Sequence, residues 1–375
     1  MQKTPPLGWN TWNTFGMNIN EQLVREMADH MIESGLRDCG YEYIVIDDAW
    51  ALKKRDENGK LVPDPEKFPS GMKALSDYIH SKGLKFGMYS CAGTMTCQAY
   101  PGSFDREFID AATFAEWGVD FLKYDYCYHT KMIQPKFLYR RMGAALANCG
   151  RDILLSACSW GHGETHEWIK TTGASMWRST GDIFDSWELV KNLTYQQEAL
   201  HPYNSVGCFN DMDMLIVGMN GIGRVAKGGC TFEEYRTHFS VWCLMGSPLM
   251  IGCDIRKMSD DTKKILMNRE AIAIDQDPCC NQPYRITDCG GPASPDMRIY
   301  VRLLSNGDFA IGVFNFNDFT ATASFMLDEI GLPISSGKKL LMHEVWSGED
   351  IMPENDTVLL RLEAHDSRLF RCKVI

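Results

Sequence analysis

Nothing in this sequence approaches the run of about 20 apolar residues that a membrane-spanning helix requires. The opening segment, Met1-Gln2-Lys3-Thr4-Pro5-Pro6, lacks the apolar stretch of a secretion signal, so the chain reads as soluble and cytoplasmic. Positive charge is scarce: 38 Lys and Arg stand against 49 Asp and Glu, for a formal net charge of −11. That balance argues against nucleic acid and anionic membrane as partners and is compatible with a neutral or cationic small substrate. The 14 cysteines have neither the dense regular spacing of a disulfide scaffold nor the recurrent CxxC pair of a zinc module. Most read as reduced, buried thiols that pack as small hydrophobes. His162, Glu164 and His166 do not have the HExxH spacing of zinc proteases and read as solvated loop residues. Gly221-Ile222-Gly223 lacks the strand and the third glycine of a dinucleotide loop. No internal repeat, low-complexity tract or flexible linker interrupts the chain.

What is present is ample core and a regular alternation. The 375 residues, 45% hydrophobic and 23% charged, suffice for a barrel plus a smaller module. Through residues 1–277, strand-like runs alternate with amphipathic helices. Leu23, Val24, Met27, Met31 and Ile32 make one stripe of a helix over 21–34, stopped at Gly35. Helices are expected near 71–82, 106–117, 135–148 and 183–200, and Thr231 with Glu234 forms a capping box for another that runs to about 245. Repeated β-then-α units imply parallel strands joined by right-handed crossovers, and about eight of them suit a (β/α)8 TIM barrel. After Asp277-Pro278 the pattern becomes one of alternating strands and tight turns, the mark of an antiparallel β-sandwich. The expected domains are therefore a catalytic barrel over 1–280 and a β-sandwich over 281–375, packed directly on each other.

The chemistry gathers at strand ends. Val119 to Leu122 has strand character and runs out into Lys123, Tyr124 and Asp125. Lys123 and Asp125, two residues apart, leave the same face of a strand, and an ammonium beside a carboxylate favours the ionised form. An ionised, oriented aspartate suits a covalent nucleophile, although a strand-end salt bridge is the plainer reading of this stretch taken alone. Asp182, with Arg178 one helical turn before it, is the candidate second carboxylate; a surface ion pair is the plainer reading. Asp47-Asp48 offers acceptors to vicinal hydroxyls or a helix-capping turn, and Trp12 or Trp50 an apolar wall for a sugar face. Asn210 to Asp213 reads as a turn as readily as a site. One nucleophilic and one proton-donating carboxylate are the minimum for retaining glycoside hydrolysis.

Six stretches together resemble glycoside hydrolase family 27, the α-galactosidases and α-N-acetylgalactosaminidases. They are Pro6-Leu7-Gly8-Trp9-Asn10-Thr11-Trp12, Ile46-Asp47-Asp48-Ala49-Trp50, Lys123-Tyr124-Asp125-Tyr126-Cys127, Trp177-Arg178 through Asp182, Asn210-Asp211-Met212-Asp213-Met214-Leu215 and Ile274-Asp275-Gln276-Asp277-Pro278. The match runs in order over nearly the whole chain. It implies a (β/α)8 barrel with a C-terminal antiparallel domain, retention of configuration, and neither metal nor organic cofactor. It makes Asp125 the nucleophile and Asp182 the acid/base. It also places Trp12, Asp47, Asp48, Tyr89, Cys97, Lys123, Ser159, Arg178 and Asp213 around the sugar, and pairs Cys97 with Cys127 in a disulfide. Ala49 and Ala174 stand where secreted relatives have further cysteines, which fits an intracellular protein.

One departure bears on specificity. Cys158-Ser159-Trp160 has Ser where many family α-galactosidases have a Glu that touches the sugar 2-hydroxyl. Animal members acting on N-acetylgalactosamine have Ser, which leaves room for an acetamido group. Glu164, in a loop that matches neither version, is a candidate to reach back and replace the missing carboxylate. The expected partner is a galactose-containing oligosaccharide or glycoconjugate, with N-acetylgalactosamine and β-L-arabinopyranose as alternative sugars, and homo-oligomerisation stays open. A catalytically silent sugar-binding barrel and a metal-dependent hydrolase using His162, Glu164 and His166 are the competing classes.

Overall fold

The computed structural model describes residues 2–286, 289, 291 and 294–375. Eight parallel strands curl into the first unit: Leu7–Asn10, Tyr43–Val45, Lys85–Cys91, Phe121–Asp125, Leu154–Cys158, Met176–Arg178, Phe209–Asp211 and Leu249–Ile251. They stand side by side in chain order, with the last strand against the first. Leu215 closes the ring: its N–H donates to the Met250 carbonyl (2.8 Å) and its own carbonyl accepts from Gly252 (3.0 Å).

The two-residue side-chain period of each strand sorts the barrel into an inside and an outside. Tyr43, Val45, Phe121, Leu154, Met176, Phe209, Met214 and Met250 fill the lumen as one apolar cluster. The residues between them, such as Ile44, Leu122, Tyr124, Leu155 and Trp177, join the larger core beneath the surrounding helices. Phe121, Lys123 and Asp125 therefore share the inner face, as the strand period requires, and the apolar filling gives way to charge at the C-terminal mouth.

The helices obey their sequence signals. The stripe over Glu21–Glu33 buries Val24, Met27 and Met31, and Asn20 caps it by accepting from the Leu23 N–H at 2.8 Å. Helix Phe232–Met245 has its capping box: the Thr231 N–H donates to Glu234 Oε2 (2.8 Å) and the Glu234 N–H to Thr231 Oγ1 (3.3 Å). Such a cap stabilises a helix by about 1 kcal/mol. The helix expected over 183–200 is shorter, Trp187–Gln197. The Ile183 N–H is taken by Asp213 Oδ2 at 2.7 Å, and Asp185–Ser186 instead pairs with Ala226–Gly229 as a short parallel ladder.

The second unit is antiparallel. A six-stranded sheet in the order Tyr284–Ile286, Met297–Leu303, Phe309–Asn315, Ser367–Val374, Leu340–Glu344, Asp350–Ile351 faces a two-stranded one, Ala321–Met326 with Thr357–Leu362. Its own core includes Ile299, Val313, Phe325 and Phe370. The two units pack directly. Arg302, fully buried on the sandwich side, donates to the Cys243, Leu244 and Asp275 carbonyls (2.9, 3.2 and 3.3 Å). A cation there suits the negative end of helix Phe232–Met245. Glu198 of the barrel takes Arg285 (2.8 Å) and Tyr300 (2.9 Å). No helix among the described residues is long and apolar enough to cross a membrane.

Candidate active site

A cavity of about 450 Å³ opens at the C-terminal mouth of the barrel. Eight parallel strands deliver their last residues there, so groups distant in sequence converge. Trp12, Asp47, Asp48, Tyr89, Cys97, Lys123, Asp125, Arg178, Asp182 and Asp213 all line it.

Asp125 ends its strand and is only 6% exposed. Its Oδ2 accepts from the Tyr89 hydroxyl (2.7 Å) and its Oδ1 from the Tyr126 N–H (2.9 Å). Burial raises the carboxyl to about 6, against the opposing pull of Lys123 and of these donors. Lys123 favours the ionised form of Asp125, as the spacing predicts, but burial outweighs it, and the ammonium's direct partner is Asp47 Oδ2 at 2.8 Å. Burial disfavours that ammonium, but its negative neighbours, Asp47 foremost and Asp125 among them, together outweigh it and hold Lys123 well above its ordinary value. Asp47 Oδ2 also accepts from Asn10 (2.9 Å). Asp48, raised by burial, accepts from the backbone N–H groups of Ala49 (2.7 Å) and Gln98 (2.8 Å). The pair sits in a loop that caps no helix, with both side chains anchored and turned to the cavity.

The opposite wall is built differently. Arg178 is buried and forks between Asp213 Oδ1 (2.9 Å) and Asp182 Oδ1 (3.0 Å). Asp213 adopts a left-handed φ of 84°. Its side chain also accepts from the Ile183 and Met214 N–H groups (2.7 and 2.8 Å). The Asp182 side chain is 60% exposed. The part of it that is buried would raise its carboxyl, but Arg178 at contact distance brings it below the usual carboxylate value. The spacing of Arg178 and Asp182 is that of one helical turn, yet the segment is a strand end followed by a loop.

Two expected positions lie elsewhere. Ser159 is fully buried and does not line the cavity; its Oγ is 2.6 Å from Thr165 Oγ1. The chain reverses immediately after it, with Trp160 at a φ of 53°, and it is the Trp160 ring that reaches the wall. Glu164 does not reach back: its side chain is 72% exposed and lies 3.5 Å from His166. His162 packs edge-on against Trp160, 6.0 Å between ring centres. Trp50 is buried with its indole N–H on the Tyr89 carbonyl (2.9 Å). Residues not anticipated also line the cavity: Gln98, Ile183, Phe184 and Arg224, the last 5.5 Å over the Trp12 ring. They come from loops, where neither periodicity nor charge spacing marks them. Cys97 and Cys127 are joined in a disulfide, with Cys97 Sγ 3.3 Å from Asp125 Oδ2.

Residues 4–277 match the family model described as Alpha galactosidase A, and residues 294–372 match that of the Alpha galactosidase C-terminal beta sandwich domain. The chain belongs to glycoside hydrolase family 27. Members of this family are retaining glycoside hydrolases. An alpha-galactosidase of Coffea arabica is 43% identical over 368 residues, covering 98% of this chain and 93% of its own. One from Cyamopsis tetragonoloba is 41% identical, covering 98% of this chain and 86% of its own. The crystal structure of alpha-galactosidase I from Mortierella vinacea superposes with a TM-score of 0.92 at 34% identity, covering 99% of this chain and 97% of that one. Family 27 membership accounts for both the barrel and the appended sandwich.

Proposed function

We propose that the protein is an α-galactosidase that removes terminal non-reducing α-linked galactose with retention of configuration, acting on oligosaccharides or glycoconjugates. The observation that carries this reading is that Asp125 and Asp182 line one cavity from different barrel elements in opposite environments. Asp125, in contact with Tyr89 and rigidly held, attacks the anomeric carbon. Asp182, from the far wall, protonates the departing glycosidic oxygen. Asp182 then accepts a proton from water, which attacks the glycosyl–Asp125 ester and releases α-galactose. Asp47, Asp48, Lys123, Arg178 and Asp213 supply charged acceptors and donors for the sugar hydroxyls, and Trp12 an apolar face. A metal or organic cofactor has no part in this scheme.

The two carboxyls are tuned against these roles: the nucleophile is raised and the donor lowered. At neutral pH Asp125, at about 6, is still mainly ionised. Asp182 takes its proton when a bound sugar replaces the water around its exposed carboxylate, since burial raises a carboxyl.

Parallel assays on the p-nitrophenyl derivatives of α-galactose, N-acetyl-α-galactosamine and β-L-arabinopyranose test the reading, with the first-formed anomer followed by NMR. We expect the plain α-galactoside to be preferred and α-galactose to appear first. β-Galactose as first product, or three inert substrates, would sink it. A preference for the N-acetylated sugar would mean that the wall at Cys158 and Trp160 admits an acetamido group although Ser159 itself does not line it.

A further inference from the structure

The disulfide Cys97–Cys127 flanks the Asp125 carboxylate. Both sulfurs and an Asp125 oxygen lie within 4.8 Å of one another, the single grouping of at least three metal-ligating side chains among the described residues. Two thiolates and a carboxylate suit a borderline or soft divalent cation with a fourth position left open. Tetrahedral zinc bonds of about 2.3 Å put two sulfurs roughly 3.8 Å apart. A small separation of the opened pair therefore suffices.

Hydrogen bonds, besides the disulfide, hold the surrounding loop, and the Gln98 N–H next to Cys97 donates to Asp48 Oδ2 at 2.8 Å. The Ala92 N–H donates to the Asp125 carbonyl (2.8 Å), Ser103 to Cys91 (2.8 Å), Gly102 to Thr94 (3.0 Å) and Thr94 to Tyr128 (3.3 Å). Gly93 packs so closely that a Cβ there would lie 1.9 Å from the Cys127 carbonyl oxygen. These contacts keep the two cysteines beside Asp125 when the bond opens. Both are half-buried, and Cys97 forms part of the cavity wall, within reach of a dissolved reductant.

We propose that reduction of Cys97–Cys127 turns this corner into a cation site, in which the two thiolates and Asp125 hold Zn²⁺ or Cd²⁺. With a phosphine as reductant, the S–S bond breaks and the phosphine takes the oxygen of one water. The two hydrogens of that water end as the two thiol S–H groups. Cation binding then releases the thiol protons. The oxidised pair offers no thiolate and leaves Asp125 free. The loss of turnover that follows rests on the proposed role of Asp125; the cation site itself does not.

The test titrates the full chain with Cd²⁺ before and after reduction by a water-soluble phosphine. It follows thiolate-to-cadmium charge-transfer absorption, bound cadmium and hydrolysis. We expect one additional tight site in the reduced chain, a fall in turnover of about tenfold or more at saturation, recovery on chelation, and competition by galactose. Reduced Cys127→Ala should bind at this site more weakly than the wild type by over about 100-fold, beyond what outer-shell changes cost. No extra site in the reduced chain, or one that survives unchanged in Cys127→Ala, would place the cadmium on other thiols and overturn the proposal. Should Cys127→Ala not fold, Asp125→Asn with its cysteines intact serves instead, and must also bind more weakly. Cadmium bound at this site with turnover intact would leave the site standing and overturn the role of Asp125.

Discussion

The two walls of the cavity solve the same problem in opposite ways. On one side Asp125 is buried and its nearest cation is committed elsewhere, since Lys123 is bonded to Asp47. Desolvation then dominates and the carboxyl rises to about 6. On the other side Asp182 is mostly exposed yet touches Arg178 at 3.0 Å, and its carboxyl falls. Contact alone does not set the sign: Asp213 also touches Arg178, at 2.9 Å, but is buried and its carboxyl is raised, whereas the largely exposed Asp182 is lowered.

The widest gap between the two walls is expected on removing each carboxylate. Asp125→Ala should lower turnover by on the order of 10⁴-fold or more with the fold retained by circular dichroism; undiminished hydrolysis would erase the distinction. Azide can then take the vacated face and should give the β-galactosyl azide. With Asp182→Ala, azide instead intercepts the glycosyl–enzyme and should give the α-azide. Asp182→Ala should cost roughly 10²–10⁴-fold on oligosaccharides, whose leaving group needs a proton. On p-nitrophenyl galactoside, which leaves unaided, the loss of the first step should be much smaller. Equal losses on both substrates would remove Asp182 from the proton-donor role.

The commitment of Lys123 to Asp47 is sharpened by Lys123→Met. This variant leaves a buried, unpaired carboxylate and should cost about 3–5 kcal/mol of stability in chemical denaturation. A loss confined to activity would mean that the pairing with Asp47 adds little to the fold and that the ammonium acts on the sugar or on Asp125. The smallest effect is expected from Tyr89→Phe. Asp125 must be ionised to attack, so kcat/KM should fall as pH drops through about 6. Losing the Tyr89 hydroxyl removes a bond to the ionised form and should move that limb upward by about one to two pH units. An unmoved or downward-shifted limb would assign it to another group.

Much of this was legible in the chain itself. The barrel follows from alternating periods, and the inner-face placement of Lys123 with Asp125 follows from the strand repeat. The partner of Lys123 did not follow, because Asp47 lies 76 positions away and only ring closure brings it close. Ser159 was misplaced although the strand period was in hand: Leu154, Ser156 and Cys158 face the barrel interior, so the next residue, Ser159, turns away from it onto Thr165. The early end of the 183–200 pattern was hidden as well, since Asp213, far along the chain, takes the backbone donor at Ile183.

Arg302 carries a consequence for engineering. Its guanidinium occupies carbonyls at the end of a barrel helix and on Asp275, so part of the barrel's backbone satisfaction is housed in the other unit. A chain shortened after the barrel would expose those acceptors along with the apolar surface that the sandwich covers, such as Leu244 beneath Gly312. The sandwich is thus less a detachable module than the last wall of the catalytic unit, and transplanting the barrel requires transplanting its neighbour.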